Sequence, residues 1–194
     1  MNEHPILFSG EMVRAILAGH KTQTRRVMKP QPWDEFIPQV GRYCPSMTDK
    51  RTGEIYPGPE IFGASDEEEG FRCPYGEPGA RLWVRETFTA HGAFGTDGRI
   101  AYRADASGGK EPHGLNWKPS IFMPRKASRI TLEIVGVRVE RLQDISERDA
   151  IAEGVERDAM CGPCSWYQMI WEKINGKGSW AKNSFVWVLE FKRI

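Results

Sequence analysis

Three runs of apolar residues recur with helical spacing. Met12, Val13, Ile16 and Leu17 follow the short apolar stretch 6–8, with Ser9 placed as an N-cap and Gly19 where a helix ends. Ser146-Glu147-Arg148-Asp149 opens a second helix in capping-box style, closed by Gly154. A third is expected over about 166–174, ending at Asn175-Gly176. Elsewhere the period is two. From Gly79 onward, Leu82, Val84, Glu86 and Phe88 alternate with Trp83, Arg85 and Thr87, which predicts a strand. A weaker strand is expected over 99–103. The longest runs over 129–141, where Ile130, Leu132 and Ile134 give way to Val135, Val137 and Val139; the phase flips beside Gly136, which predicts a β-bulge. Residues 185–191 are apolar on both faces and predict a buried, central C-terminal strand.

Residues 30–79 follow neither period. They hold eight of the thirteen prolines and the acidic run 66–69, which predicts an irregular insertion, partly ordered at best. At 194 residues the chain is expected to form a single domain, 1–194, enlarged by this insertion. Short strands, few helices and no βαβ rhythm predict an α+β fold, a small closed or half-closed β-barrel with peripheral helices. Apolar residues are 40% and charged residues 27%, which excludes a disordered tail protein. Lys plus Arg (27) against Asp plus Glu (26) leaves +1, so an anion site must come from local clustering. The longest apolar run, 185–189, is far short of the ~20 residues of a membrane span. The first residues carry neither a basic nor an apolar leader segment. A cytoplasmic protein without a membrane partner is expected, its oligomeric state open.

One such cluster exists. Lys21, Arg25, Arg26 and Lys29 place four cations and no acid within nine residues. Cations past a helix end complement its dipole by ~0.3–1 kcal/mol each. Four of them, with Thr22 and Thr24 between, exceed that need. Arginine forks suit phosphate or a base edge, and threonine hydroxyls add short polar contacts. A P-loop is excluded, because His20 stands before Lys21 where that motif needs glycine, and the string follows a helix instead of opening one. Glu153 falls at the end of the second helix, where the dipole opposes a carboxylate by ~0.3–1 kcal/mol. Such a placement suits acid–base chemistry when enclosed. Glu86 shares the inward face of its strand and is the second carboxylate of interest. Trp83, Trp117 and Trp180 are either base-stacking platforms or core residues. Cys161-Gly162-Pro163-Cys164 has dithiol spacing but lacks the βαβ unit and the later proline of a thioredoxin site. Cys44, Cys73, Cys161 and Cys164 would satisfy a tetrahedral zinc, yet their separations match no standard ribbon. Ordinary reduced thiols are the expectation, with no metal and no cofactor.

The segment 6–8, the helix after it and the string from Gly19 to Arg26 resemble the opening of ASCH-domain proteins, whose fold is a PUA-like β-barrel. Residues 79–87 resemble the next strand of larger, phage- and prophage-type members. Residues 142–146, the helix ending at Glu153-Gly154 and residues 186–191 are similar to the family's C-terminal half. The resemblance implies an RNA-related role. In a small amidohydrolase relative acting on N4-acetylcytidine, the catalytic lysine, threonine and glutamate correspond to Lys21, Thr24 and Glu153. Thr22, Arg25, Arg26, Glu86 and Trp83 are then the candidates for substrate binding. The leading expectation is recognition of RNA or a modified nucleotide in a basic pocket, with amidohydrolase chemistry on an acylated cytidine-type base. The alternative is a non-catalytic nucleic-acid-binding module of a phage or prophage; a ribonuclease comes third. Whether the chain is an enzyme stays open at this point.

Overall fold

The structure, a computed structural model, describes residues 3–89, 100–106, 116–155 and 161–194. β1 (Glu3–Leu7), α1 (Gly10–Leu17) and β2 (Gln23–Val27) open the chain. The 30–79 stretch holds β3 (Gln39–Tyr43), β4 (Ser46–Thr48), β5 (Ile55–Pro57), β6 (Ile61–Ser65) and β7 (Gly70–Arg72). Then come β8 (Arg81–Arg85), β9 (Phe88–Thr89), β10 (Ala101–Tyr102) and β11 (Thr131–Arg141). The helices α2 (Glu147–Ala152) and α3 (Pro163–Asn175) precede the last strand, β12 (Phe185–Arg193).

The fold is α+β. Its main sheet has five strands in the order β1-β8-β11-β12-β2. β1 runs parallel to β8, and the remaining neighbours are antiparallel. The pairing does not close this sheet into a barrel among the described residues: β1 and β2 are its edges. Alternation along β12 sends its side chains to two cores. Val186 and Val188 pack with Leu142, Ala150, Tyr167 and Trp171 under α2 and α3. Trp187, Leu189 and Phe191 pack with Ile6, Val13, Ile16 and Leu132 on the other face. Each such side chain contributes roughly 1.5–3 kcal/mol by leaving water, which makes β12 the shared wall of both cores.

Local chemistry sets the element boundaries. Ser9 accepts from the Met12 amide at 3.4 Å and starts α1; Ser146 accepts from the Asp149 amide at 3.1 Å and starts α2. The predicted bulge is present, since the β11–β12 register slips between Ile134 and Gly136 and leaves Val135 exposed. α3 begins three residues before the expected start, because Pro163 takes its first turn after Gly162. In the weaker strand predicted over 99–103, Ala101 and Tyr102 pair with β9; Arg103 enters a 3-10 turn, and Arg99 lies outside the described residues. No helix among the described residues is long and apolar enough to cross a membrane.

The insertion is more ordered than its composition predicts. β3, β6 and β7 form a three-stranded sheet, and β4 and β5 form a hairpin. Phe36 meets the rings of Phe71 and Phe185 edge-on at 5.3 and 5.6 Å, which anchors the insertion to the main core. Strands of three to five residues are too short to display a period, and the prolines lie mostly between them. Gly41 and Gly63 pair across β3 and β6, but only one of them is constrained. A Cβ on Gly63 would collide with the Phe71 carbonyl oxygen, whereas a Cβ on Gly41 meets nothing within 4 Å. Gly63→Ala should therefore cost about 1–3 kcal/mol in urea denaturation, and Gly41→Ala should change stability by less than ~0.5 kcal/mol. Equal midpoints for the two variants would contradict the ordered sheet.

Candidate functional site

Residues 23–27 of the basic segment that follows α1 form an edge strand. α1 ends at Gly19, which adopts φ +76°. The Thr22 amide then donates to the Ala152 carbonyl at 2.9 Å, and residues 23–27 pair along β12, with Thr24 opposite Leu189 and Arg26 opposite Trp187. Alternation turns Arg25 and Val27 toward α2 and α3, and Thr24 and Arg26 toward the other face.

Lys21 is 2% exposed and ends in a pair of short contacts. Its Nζ donates to Glu153 Oε2 at 2.6 Å and to the Glu153 main-chain carbonyl at 2.8 Å. Glu153 caps the C-terminus of α2, so the sequence placed it correctly. The cost of its position at the negative helix end is met by two cations, because Arg25 Nη1 also reaches Oε1 at 3.3 Å. Gly154 follows at φ +95°; a Cβ there would stand 3.1 Å from Ala15 Cβ and 3.3 Å from Lys21 Cβ. Glycine is what lets the helix end settle on the lysine stem. Burial pushes the Lys21 ammonium below its ordinary 10.5, and the charges of Arg25 and Arg26 add to that shift against the opposing pull of Glu153.

The cluster continues outward. Arg25 is 3% exposed and also pairs with Glu140 and, at 3.4 Å, with Asp149. Arg138 bridges Glu140 at 3.0 Å, Asp149 at 2.9 Å and Glu190 at 2.5 Å. Three cations thus face four carboxylates. Arg25, expected to bind substrate, pairs with Glu140, Asp149 and Glu153, and it also lines the larger of the two cavities that flank Glu153. A buried guanidinium requires acceptors, and its strand position aims it at α2 and β11.

Glu153 lies between two cavities. The larger, about 830 Å³, is lined by Thr24, Arg26 and Glu153, by Tyr167, Trp171 and Trp187, and by Arg72 and Tyr75 from the insertion. Lys29 and Lys182 complete its basic rim. The smaller, about 620 Å³, lies against Ser9, Gly10, Thr87 and Arg103 and shares Met12, Glu153, Tyr167, Ile170 and Ile174 with the larger. Tyr167 therefore faces both; burial pushes its phenol well above the ordinary 10.0, so it keeps its proton. Arg26 stacks 5.1 Å over Phe8 and donates to the Leu7 carbonyl at 2.6 Å.

Of Lys21, Thr24 and Glu153, the structure pairs Lys21 with Glu153 and places Thr24 and Glu153 on one cavity wall. Thr24 and Glu153 line the larger cavity, while Lys21 stands behind Glu153 and lines neither of the two. Thr22 is exposed and lines a shallow hollow with Leu132 and Phe191. Glu86 is inward, as its alternation predicts, but both its oxygens accept from Arg129, at 2.9 and 3.0 Å, and it lines neither cavity. Trp83 is half-buried, lies 5.3 Å from the Arg85 guanidinium and also lines neither. Trp117 is half-buried beside Phe88 and Phe122, and Trp180 packs against Tyr167 at 6.3 Å. The four cysteines are not gathered: Cys44 and Cys161 are exposed, Cys73 is buried and pushed up to about 11, and Cys164 donates to the Ile145 carbonyl at 3.5 Å. Burial raises the Cys164 thiol, the opposite of what a reactive dithiol requires. Among the described residues no three His, Cys, Asp or Glu side chains converge as a metal site.

Tyr167, Trp171, Arg72, Tyr75 and Lys182 were not singled out by the sequence. Tyr167, Ile170, Trp171 and Ile174 recur at i, i+3, i+4 and i+7, a visible stripe with no sign of which cavity it would wall. Nothing in the short strands of the insertion marks Arg72 or Tyr75.

Removing charges from this cluster should have unequal effects. Glu153→Gln strips Lys21 of its only side-chain anion and should cost about 3–5 kcal/mol in chemical denaturation at neutral pH. Lys21→Met should cost less, because Arg25 still balances Glu153. Arg25→Ala should resemble Glu153→Gln, whereas Arg26→Ala should cost less than about 1 kcal/mol. Equal losses for the two arginine variants would contradict the difference between a buried, ion-paired Arg25 and a half-buried Arg26 without a carboxylate partner among the described residues.

Comparison of the chain with known protein families, with curated proteins and with solved structures finds no match.

Proposed function

We propose that the protein recognises RNA or a modified nucleotide in the larger cavity, and that Thr24, Lys21 and Glu153 hydrolyse the amide of an acylated cytidine-type base there. The reading includes membership of the ASCH group with its PUA-like architecture. The observation that carries it is that Thr24 and Glu153 line one cavity with aromatic walls and a basic rim, with Lys21 buried behind and paired to Glu153. Aromatic rings accept a base by stacking, and cations accept its phosphate.

In this scheme the Thr24 hydroxyl oxygen attacks the amide carbon, and its proton passes by way of the Glu153 carboxylate to neutral Lys21. The C–N bond breaks as the departing amine takes that proton back. Water, oriented by Glu153, then cleaves the acyl-threonine ester, releasing the carboxylic acid and restoring Thr24. Lys21 is suited to the task because burial favours its neutral form. A non-catalytic binding module is the second reading. It is favoured by the place of Lys21 behind Glu153, where the lysine serves to hold the carboxylate.

Incubation with N4-acetylcytidine and acetylated RNA, followed by chromatography, should show release of cytidine and acetate. Thr24→Ala should abolish release while leaving binding within about threefold, since only a hydroxyl is lost. The rate should rise with pH and level off below 10.5, because the neutral amine is the working form and burial lowers its titration. Stability has the same sign. The folded chain releases the Lys21 proton more readily than the unfolded chain, so the lysine's contribution grows as pH climbs from its folded value toward 10.5. Tight binding without turnover in any sample would establish the binding module in place of the enzyme.

A further inference from the structure

We infer that the rim of the larger cavity is a phosphate subsite, so that the ligand is a nucleotide, free or within an RNA strand, and not a bare nucleoside. The inference rests on the function proposed above and narrows its substrate class. Arg26, Lys29, Arg72 and Lys182 come from β2, the loop after it, β7 and the loop before β12, and all line this one cavity. None of the four has a carboxylate partner among the described residues. Glu153 is the one carboxylate on that wall among the described residues, and Lys21 and Arg25 already balance it. The smaller cavity differs, for there Lys173 faces Glu11 at 4.0 Å.

A second observation points the same way. Arg26 Nε, the Trp171 indole nitrogen and Ser179 Oγ are buried atoms without hydrogen-bond partners, and all three residues line the larger cavity. Trp171 as a whole is 5% exposed. A buried donor left without an acceptor is costly, and native proteins seldom keep one that nothing satisfies. Phosphate and base carbonyl oxygens are the acceptors such donors need, and phosphate alone also answers the unpaired cations. Arg25 lines the same cavity but is already paired with Glu140, Asp149 and Glu153, so charge recognition falls to Arg26, Lys29, Arg72 and Lys182.

Equilibrium titrations of Thr24→Ala protein with N4-acetylcytidine, its 5′-monophosphate and a short single-stranded oligoribonucleotide carrying the same base test this across a salt series. The monophosphate should bind at least about tenfold more tightly than the nucleoside, with the advantage shrinking as salt rises. Added Arg72→Ala or Lys182→Ala should each narrow that ratio severalfold; Lys126→Ala, away from the cavity, should leave it unchanged. If the oligonucleotide binds more tightly still, with a salt slope steeper by about 0.7 per extra phosphate contact, the source is an RNA strand; parity with the monophosphate assigns a free nucleotide. Equal binding of nucleoside and monophosphate would overturn the phosphate subsite while leaving base recognition standing. Failure of all three ligands to bind would remove the proposed function itself.

Discussion

A lysine and an arginine buried against one glutamate hold this structure in register. The side chains of Lys21 and Arg25 are fully buried, so each needs an anion inside the fold, and Glu153 is the group both reach. Satisfying them fixes the end of α2 over the edge strand β2, and the Thr22 amide to Ala152 carbonyl contact follows from the same approach. Because β2 pairs only with β12, this cluster fastens the open edge of the main sheet. The larger cavity forms where α3 and the insertion close over that edge.

The division of labour among the cations follows from alternation along one short strand. Both Arg25 and Arg26 line the larger cavity, but alternation along β2 gives only Arg25 the carboxylates of the charge cluster. Adjacent arginines that look interchangeable therefore meet different dielectric surroundings. One is held by three carboxylates, and the other keeps its Nε without a hydrogen-bond partner. The insertion completes the arrangement by bringing Arg72 and Tyr75 to the far wall.

Much of the scaffold was legible because its signals are local. Ser9 and Ser146 as caps, Gly19 and Gly154 as stops, and the phase change at Gly136 each depend on a few neighbouring residues. Glu153 could be noticed for the same reason, since its conflict with the helix dipole is a property of one helix. The partners of Arg25 could not. Glu140, Asp149 and Glu153 lie 115 to 128 residues away for the two hydrogen-bonded ones, and only the pairing of β2 with β12 reveals which face the arginine takes. Glu86 shows the converse limit: alternation placed it inward correctly, yet its ion pair with Arg129 makes it a structural anchor. The ordered sheet within 30–79 escaped notice because strands of three to five residues carry too few positions to show a period.

A crystal structure of Thr24→Ala protein with N4-acetylcytidine 5′-monophosphate tests the central claim most directly. The account predicts the base among Tyr167, Trp171 and Trp187, the acetyl amide beside residue 24 and Glu153, and the phosphate within reach of Arg26, Arg72 or Lys182. A ligand seated away from Glu153, or a cavity that stays empty at saturating concentration, would contradict it.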